Sequence, residues 1–282
     1  MSPTRFLFFN PRRPHRSVGL CLLVVLGLCF FAPTAHAVVP EHSRQLVRIL
    51  TPDWPAVSGQ LQRFSRPDAW SNWEPVGAPV EIVVGRKGLG WGRGLVPAAE
   101  TNGDFRREGD ARAPAGVFRL GPAFGLATRT QAQQWLQLNM PYTHLHPEMR
   151  CIGDRHSRYY NELVDLRQVA PDWQNPRANE NMYLDAIRDE GAYRWGVFVQ
   201  HNHPDNPPGL QRDTVSGSCI FLHIWKGPGI GTSGCSAMAK TDIVDLLNWL
   251  DASQHPVLVQ LPQPVYLEKQ TLWRLPLLNK TP

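Results

Sequence analysis

The chain has little that would take it to nucleic acid, to a membrane interior or to a metal. Its 282 residues carry 29 basic against 24 acidic side chains. Residues 1–37 hold four of the arginines and no acid, which leaves 25 basic against 24 acidic side chains beyond them. A body that close to neutral offers no electrostatic footprint for a phosphate backbone, so no nucleic-acid partner is expected. After residue 37 no stretch is apolar over the roughly 20 residues that a spanning helix needs. The zinc-protease pattern H-E-x-x-H is missing. The Gly-rich run 88–94 lacks the spacing and the Lys of a phosphate loop, and reads as a structural loop with close backbone packing. Internal repeats, blocks of like charge and dividing linkers are also missing, as expected of one domain rather than several.

Cysteine is scarce, five in all, and its placement matters more than its number. Residues 1–37 read as a secretion signal. Arg12, Arg13 and Arg16 precede an apolar run over 18–31, and Ala35-His36-Ala37 supplies a small-x-small cleavage site. The apolar run is too short to span a bilayer. The mature chain is therefore expected to be exported, to the periplasm or cell envelope, and not to stay inserted in the membrane. Cleavage would remove Cys21 and Cys29 and leave Cys151, Cys219 and Cys235. An odd count in an oxidising compartment allows at most one disulfide and one free thiol. If Cys235 is the free one, Cys151 and Cys219 either pair or remain two buried thiols, and the sequence leaves both open.

Twenty-six Pro and 23 Gly indicate many short elements joined by turns. Short β-branched or alternating runs at 46–50, 59–64, 80–84, 194–200 and 257–261 predict a mainly β fold, a sandwich or barrel-like arrangement of mixed sheets with a few short helices. A further strand is expected to open at Val117. Residues 130–138 read as a short helix or strand, and 185–190 have helical composition. The clearest helix is 241–251, with Thr241 as its N-cap and Ile243, Leu246, Leu247 and Leu250 as its apolar stripe. Residues 46–262 would form the catalytic domain, with 263–282 a Pro- and Leu-rich tail packing on it.

The informative stretch is 217–238. Residues 219–225 read as a central strand, apolar on both faces: Ile220, Leu222 and Ile224 on one, Cys219, Phe221, His223 and Trp225 on the other. A Gly- and Pro-rich loop then leads through Thr232, Ser233 and Gly234 to Cys235. An imidazole beside a thiol can take its proton, hold the thiolate as an ion pair and return the proton to a leaving amine. Gly234 leaves the sulfur approachable, and the N–H groups of Gly234 and Cys235 are candidates for an oxyanion hole. Cys235, His223 and Gly234 are the expected catalytic residues. The pairs His201/His203 and His144/His146 lie beside prolines and read as loop residues rather than zinc ligands, with Asn202 bordering the cleft.

His223 followed by Thr232-Ser233-Gly234-Cys235 resembles the active-site motif of the L,D-transpeptidase catalytic-domain family, a His followed by [Ser/Thr]-x-Gly-Cys. Three further stretches are similar to that family: Arg107-Glu108-Gly109-Asp110 with Pro114-Ala115-Gly116-Val117-Phe118; Gly217-Ser218 before the catalytic strand; and Cys151-Ile152-Gly153-Asp154 with Tyr159-Tyr160-Asn161. The resemblance implies a Cys nucleophile, a His general base, no metal or organic cofactor, and peptidoglycan stem peptides as partners; with no acidic residue at an obvious place, a backbone carbonyl is the expected third member of the catalytic group. Attack at the bond between the L-centre of a diamino acid and a terminal D-residue would expel D-alanine and pass the acyl group to an amine. Thr232, Ser233, Ser218 and Asn202 are the expected substrate-binding residues. The chain departs from the family pattern at Ser233, where many members have His, and at Ala237, where many have Arg. Arg194 and Arg212 are candidates to replace that cation. The alternatives are the same chemistry ending in water (an L,D-carboxypeptidase or crosslink hydrolase), a non-catalytic wall-binding protein, or a zinc hydrolase using His201, His203 and His223. Oligomeric state is not legible.

Overall fold

A computed structural model describes residues 1, 38–101, 103–183 and 191–278. The expected leader, apart from Met1, and the helical composition at 185–190 lie outside the described residues. From β1 (Gln45–Thr51) the chain turns back through β2 (Ser58–Ser65) and β3 (Glu74–Val83) as an antiparallel meander. β4 (Leu89–Trp91) pairs in parallel with the start of β5 (Ala113–Gly125). That pairing is why β5 opens at Ala113, ahead of the expected Val117: 113–115 have a partner of their own.

Beyond β5 come α1 (Arg129–Ala132) and β6 (Tyr142–His144), then β7 (Met149–Cys151), β8 (Leu163–Asp165) and β9 (Glu180–Asn181), which form a small separate sheet. In the ambiguous stretch 130–138 the helix wins only for α1, which starts from a reciprocal Thr128/Gln131 capping box. The chain closes with β10 (Trp195–Val199), β11 (Phe221–Ile224), β12 (Ser236–Met238), α2 (Lys240–Trp249), β13 (Val257–Pro262) and α3 (Gln263–Lys269).

Pairing runs β10-β11-β12-β3-β2-β1-β13-β5, and β5 pairs back onto β10. These eight strands close on themselves, so the ring has no exposed edge, with β4 and β6 flanking β5. Most pairs are antiparallel, but β1–β13 and β11–β12 are parallel. The fold is mainly β, with mixed pairing and, among the described residues, three short α-helices.

The strand expected at 219–225 is real but shorter. Cys219 takes a left-handed backbone, φ 56°, and is bonded to Cys151, so regular pairing starts only at Phe221. Its two apolar faces serve two different cores. Ile220, Leu222 and Ile224 join the main core with α2, whereas Cys219 and Phe221 join a second cluster with Phe124, Leu145, Met149 and Cys235. α2 buries the predicted stripe Ile243, Leu246, Leu247 and Leu250. Its cap differs from the expectation: the helix begins at Lys240, the N-cap is Ala239, and no side chain caps it. Packing of the stripe, rather than a cap, holds this helix.

Tail residues 263–278 contribute to the main core. Tyr266 and Trp273 are fully buried. The Tyr266 hydroxyl donates to the Pro276 carbonyl at 2.5 Å, and Trp273 Nε1 donates to the Glu100 carboxylate at 2.6 Å. The Cys151–Cys219 disulfide ties the small sheet to the entry of β11 across 68 residues. Closing a loop of that length stabilises by about 4 kcal/mol through the unfolded chain. Reduction, or the Cys151→Ser/Cys219→Ser pair, is expected to cost about that much in chemical denaturation. Trp273→Ala is expected to cost ~3–5 kcal/mol in the same measurement.

Candidate active site

Parallel neighbours need a crossover, and here it is the connection 225–235 between β11 and β12. It returns the chain so that Leu222, His223 and Ile224 lie opposite Ser236, Ala237 and Met238. Paired residues on adjacent strands point to the same face. Cys235, one residue ahead of β12, is therefore level with Phe221, and its Sγ accepts the Phe221 N–H at 3.4 Å. His223 is two residues further along the same face. Its flanking partners are the small residues Gly196 of β10 and Ala237 of β12, which leave the ring uncrowded. His223, Gly234 and Cys235 line one cavity of about 490 Å³.

The imidazole is held from two sides. His223 Nδ1 lies 2.7 Å from the Ile224 carbonyl. A carbonyl only accepts, so Nδ1 carries the proton and Nε2 keeps its lone pair. The Tyr193 ring meets the imidazole edge-on, with centroids 5.5 Å apart. Cys235 is the free cysteine among the described residues, and it is buried. Its thiol also lies 3.6 Å from the Cys219 carbonyl, an acceptor for the S–H.

Burial sets the resting protonation. It pushes the Cys235 thiol up to about 12, with the negative charge of Glu180 adding to it and the Phe221 N–H and Arg106 opposing it. It pushes the His223 imidazole down to about 4, partly offset by the bond to Ile224. The resting pair is therefore thiol and neutral imidazole, and not the ion pair that the sequence suggested. Charge separation in so dry a place is unfavourable until something polar enters.

Gly234 has φ +156°, and a Cβ there would lie 3.3 Å from the Arg112 carbonyl, so a side chain would crowd the turn that presents the thiol. Its N–H is not free for an oxyanion: it donates to Thr232 Oγ1 at 3.1 Å, and that hydroxyl donates to the Cys235 carbonyl at 2.6 Å. Thr232 thus braces the loop from the cavity wall. Ser233 is exposed at the rim and accepts from Arg86 Nη1 at 3.3 Å. Ser218 lines the cavity and donates to Glu108 at 2.7 Å.

Asn202 is placed elsewhere. It is fully buried, adopts φ 51° and does not line the cavity. Its Nδ2 donates to the Asp213 and Gly217 carbonyls and its Oδ1 accepts the Asp213 N–H. With its amide spent on backbone, Asn202 clamps the segment that feeds β11. His201, also fully buried, accepts from Arg93 N at Nδ1 and donates from Nε2 to the Ser216 carbonyl, so both ring nitrogens are committed.

Ala237 is fully buried between β11 and β3, level with His223, and supplies no cation to the cavity. Arg212 bonds the Tyr160 carbonyl and Glu162, and neither it nor Arg194 lines the cavity. The cations that do are Arg106 and Lys226. Arg106 is buried and donates to the Arg112, Ser216 and Arg107 carbonyls. Gly217, at φ +96°, makes room for it: a Cβ there would sit 1.8 Å from Arg106 Nη1. Sequence reasoning missed Arg106, Glu108, Glu180 and Tyr193 as cavity residues. Glu108 lies in a stretch already marked by its motif and Arg106 directly precedes it, whereas nothing in the sequence marks Glu180 or Tyr193.

Comparison with protein-family models, with curated proteins and with solved structures found no match for the chain.

Two outcomes follow from the neutral pair. Iodoacetamide labelling of Cys235 at pH 8, followed by mass spectrometry, is expected to be at least about a hundredfold slower in the folded protein than in urea, because the thiolate is the nucleophile. Folded His223 titrates near 4 and His201 near 3, both below the ordinary imidazole. Between those values and about 6.5 the unfolded chain binds more protons, so stability falls as pH drops through that window. Denaturation midpoints at successive pH values check this.

Proposed function

We propose that this chain is an exported cysteine acyltransferase of the L,D-transpeptidase type, acting on peptidoglycan stem peptides in the periplasm or cell envelope. The single observation that carries the reading is the pairing of one free thiol with one imidazole whose Nε2 is unprotonated, on the same face of two parallel strands and in the same cavity. Around this pair stand the motif residues Thr232, Ser233, Gly234 and Ser218, from which the family resemblance comes.

In the first half-reaction Cys235 Sγ attacks the carbonyl of the L-centre and its proton passes to His223 Nε2. The tetrahedral intermediate then breaks its C–N bond. The D-alanine amine leaves with the proton from His223, and a thioester remains on Cys235. In the second half-reaction an amine adds to the thioester, gives its proton to Nε2, and the sulfur leaves as thiol. The peptide's polar groups supply what the dry resting pair lacks, so proton transfer is coupled to attack rather than preceding it. The Cys235 N–H is the remaining backbone donor proposed for the oxyanion, since the Gly234 N–H is occupied. Arg106 and Lys226 provide positive charge for the terminal carboxylate.

Incubating the chain with tetrapeptide muropeptides is expected to release D-alanine and to add one acyl mass to Cys235. Cys235→Ala is expected to abolish both, and His223→Ala to lower kcat by about 10²–10⁴. D-alanine release by Cys235→Ala would overturn the mechanism. Product masses separate the acceptors: dimers indicate an amine, shortened monomers water.

A further inference from the structure

The second half-reaction leaves one proton without a destination. A primary amine meets neutral water as an ammonium, with three protons on its nitrogen. One stays in the new amide N–H, and one passes through His223 Nε2 to the sulfur. The third needs another base within reach. Glu180 of β9 lines the catalytic cavity together with His223 and Cys235. Its carboxylate accepts the Tyr193 hydroxyl, and the Tyr193 ring meets the His223 imidazole edge-on. One tyrosine thus spans from this carboxylate to the catalytic ring. β9 is held there through β7: Glu180 lies opposite Cys151, which is bonded to Cys219, whose carbonyl is 3.6 Å from Cys235 Sγ.

Glu180 differs from the other acid of the cavity wall. Glu108 is exposed, and its Oε2 accepts from the Ser218 and Tyr160 hydroxyls. Glu180 is partly buried, and Tyr193 is its side-chain donor; among the described residues no Lys or Arg pairs with it. Burial holds Glu180 above the ordinary carboxylate value, with the Tyr193 bond opposing and the charge of Glu108 adding. A carboxylate raised in this way is a stronger base, and one without a counter-cation gains from a cation placed beside it. The group is also within electrostatic reach of the nucleophile: the Cys235 thiol is raised by burial and then by the charge of Glu180.

We propose that Glu180 selects an amine over water as the acyl acceptor: its carboxylate hydrogen-bonds the incoming primary ammonium beside Cys235 and takes the proton that the nitrogen must lose. The free amine then adds to the thioester carbonyl and gives its second proton to His223 Nε2. The C–S bond breaks, and the sulfur leaves with that proton as thiol. The proton on Glu180 returns to solvent through the cavity. A charge-assisted bond of this kind is open to an ammonium and not to neutral water. The inference rests on the acyl transfer proposed at Cys235.

Two readouts test it, with Glu180→Gln as the variant, since Gln keeps an acceptor for Tyr193 and removes the charge. The first needs no peptide: Cys235 is labelled with 2-aminoethyl and with methyl methanethiosulfonate, followed by mass spectrometry. The rate ratio of the cationic to the neutral reagent is expected to fall about tenfold in Glu180→Gln, as loss of a hydrogen bond between charged groups does. In the second, acyl-Cys235 formed from tetrapeptide muropeptides partitions between water and ethylamine, or between water and hydroxylamine, which is uncharged at neutral pH. The amide-to-acid ratio is expected to fall about tenfold with ethylamine and to hold with hydroxylamine. Equal falls with both amines, an unchanged reagent ratio, or a larger fall in Glu108→Gln than in Glu180→Gln would overturn the inference. Charge preference at Cys235 without any acyl-Cys235 would instead overturn the acyl-transfer reading while upholding ammonium recognition by Glu180.

Discussion

The parallel pairing of β11 with β12 is the constraint on which the site depends. An antiparallel hairpin would have set the residues next to the turn against each other and left His223 facing the tip. The parallel arrangement makes the chain cross over through 225–235 and begin β12 level with the middle of β11. The thiol therefore arrives beside Phe221, and the imidazole stands two residues along on the same face. Closure of the barrel through β5 and β10 fixes both strands from outside, since β11 is hydrogen-bonded to β10 and β12 to β3. The small residues Gly196 and Ala237 beside His223 are the local condition for this: larger side chains on either flank would fill the space over the ring.

Burial then decides the chemistry. The same apolar surroundings that hold the ring push the thiol up and the imidazole down, so the resting pair is neutral. Such a site is chemically quiet until something polar enters. The cavity walls are made by the segments that the rest of the fold anchors. Arg106 is locked by backbone carbonyls, Ser218 by Glu108, and the entry to β11 by Asn202 and by the disulfide from Cys219 to Cys151.

Much of this was legible in the chain. The two-faced apolar pattern of 219–225 identified an interior strand, and each face did join a different core. The stripe Ile243, Leu246, Leu247 and Leu250 identified α2, although its cap was misplaced because packing outweighs capping where the stripe is fully buried. The pairing of Cys151 with Cys219 was one of two open possibilities, since spacing along a chain carries no information on which cysteines meet. Asn202 was taken for a cleft residue because its strand end precedes the catalytic strand. Its left-handed backbone turns the side chain inward onto Asp213 and Gly217 instead.

By itself the sequence determined the residue types at the site: a thiol behind a glycine that tolerates the turn, an imidazole in a strand that would hold it, and element periodicities that require a mainly β fold. Those properties are local, because conformational freedom and side-chain alternation are set by neighbours in the chain. Only the tertiary structure decided that the pair rests neutral, that the Gly234 N–H is already spent on Thr232, and that Arg106 and Glu180 stand in the cavity wall. Each of these depends on burial and on groups brought together from distant parts of the chain. Desolvation and hydrogen-bond occupancy belong to the folded surroundings and have no counterpart in residue order.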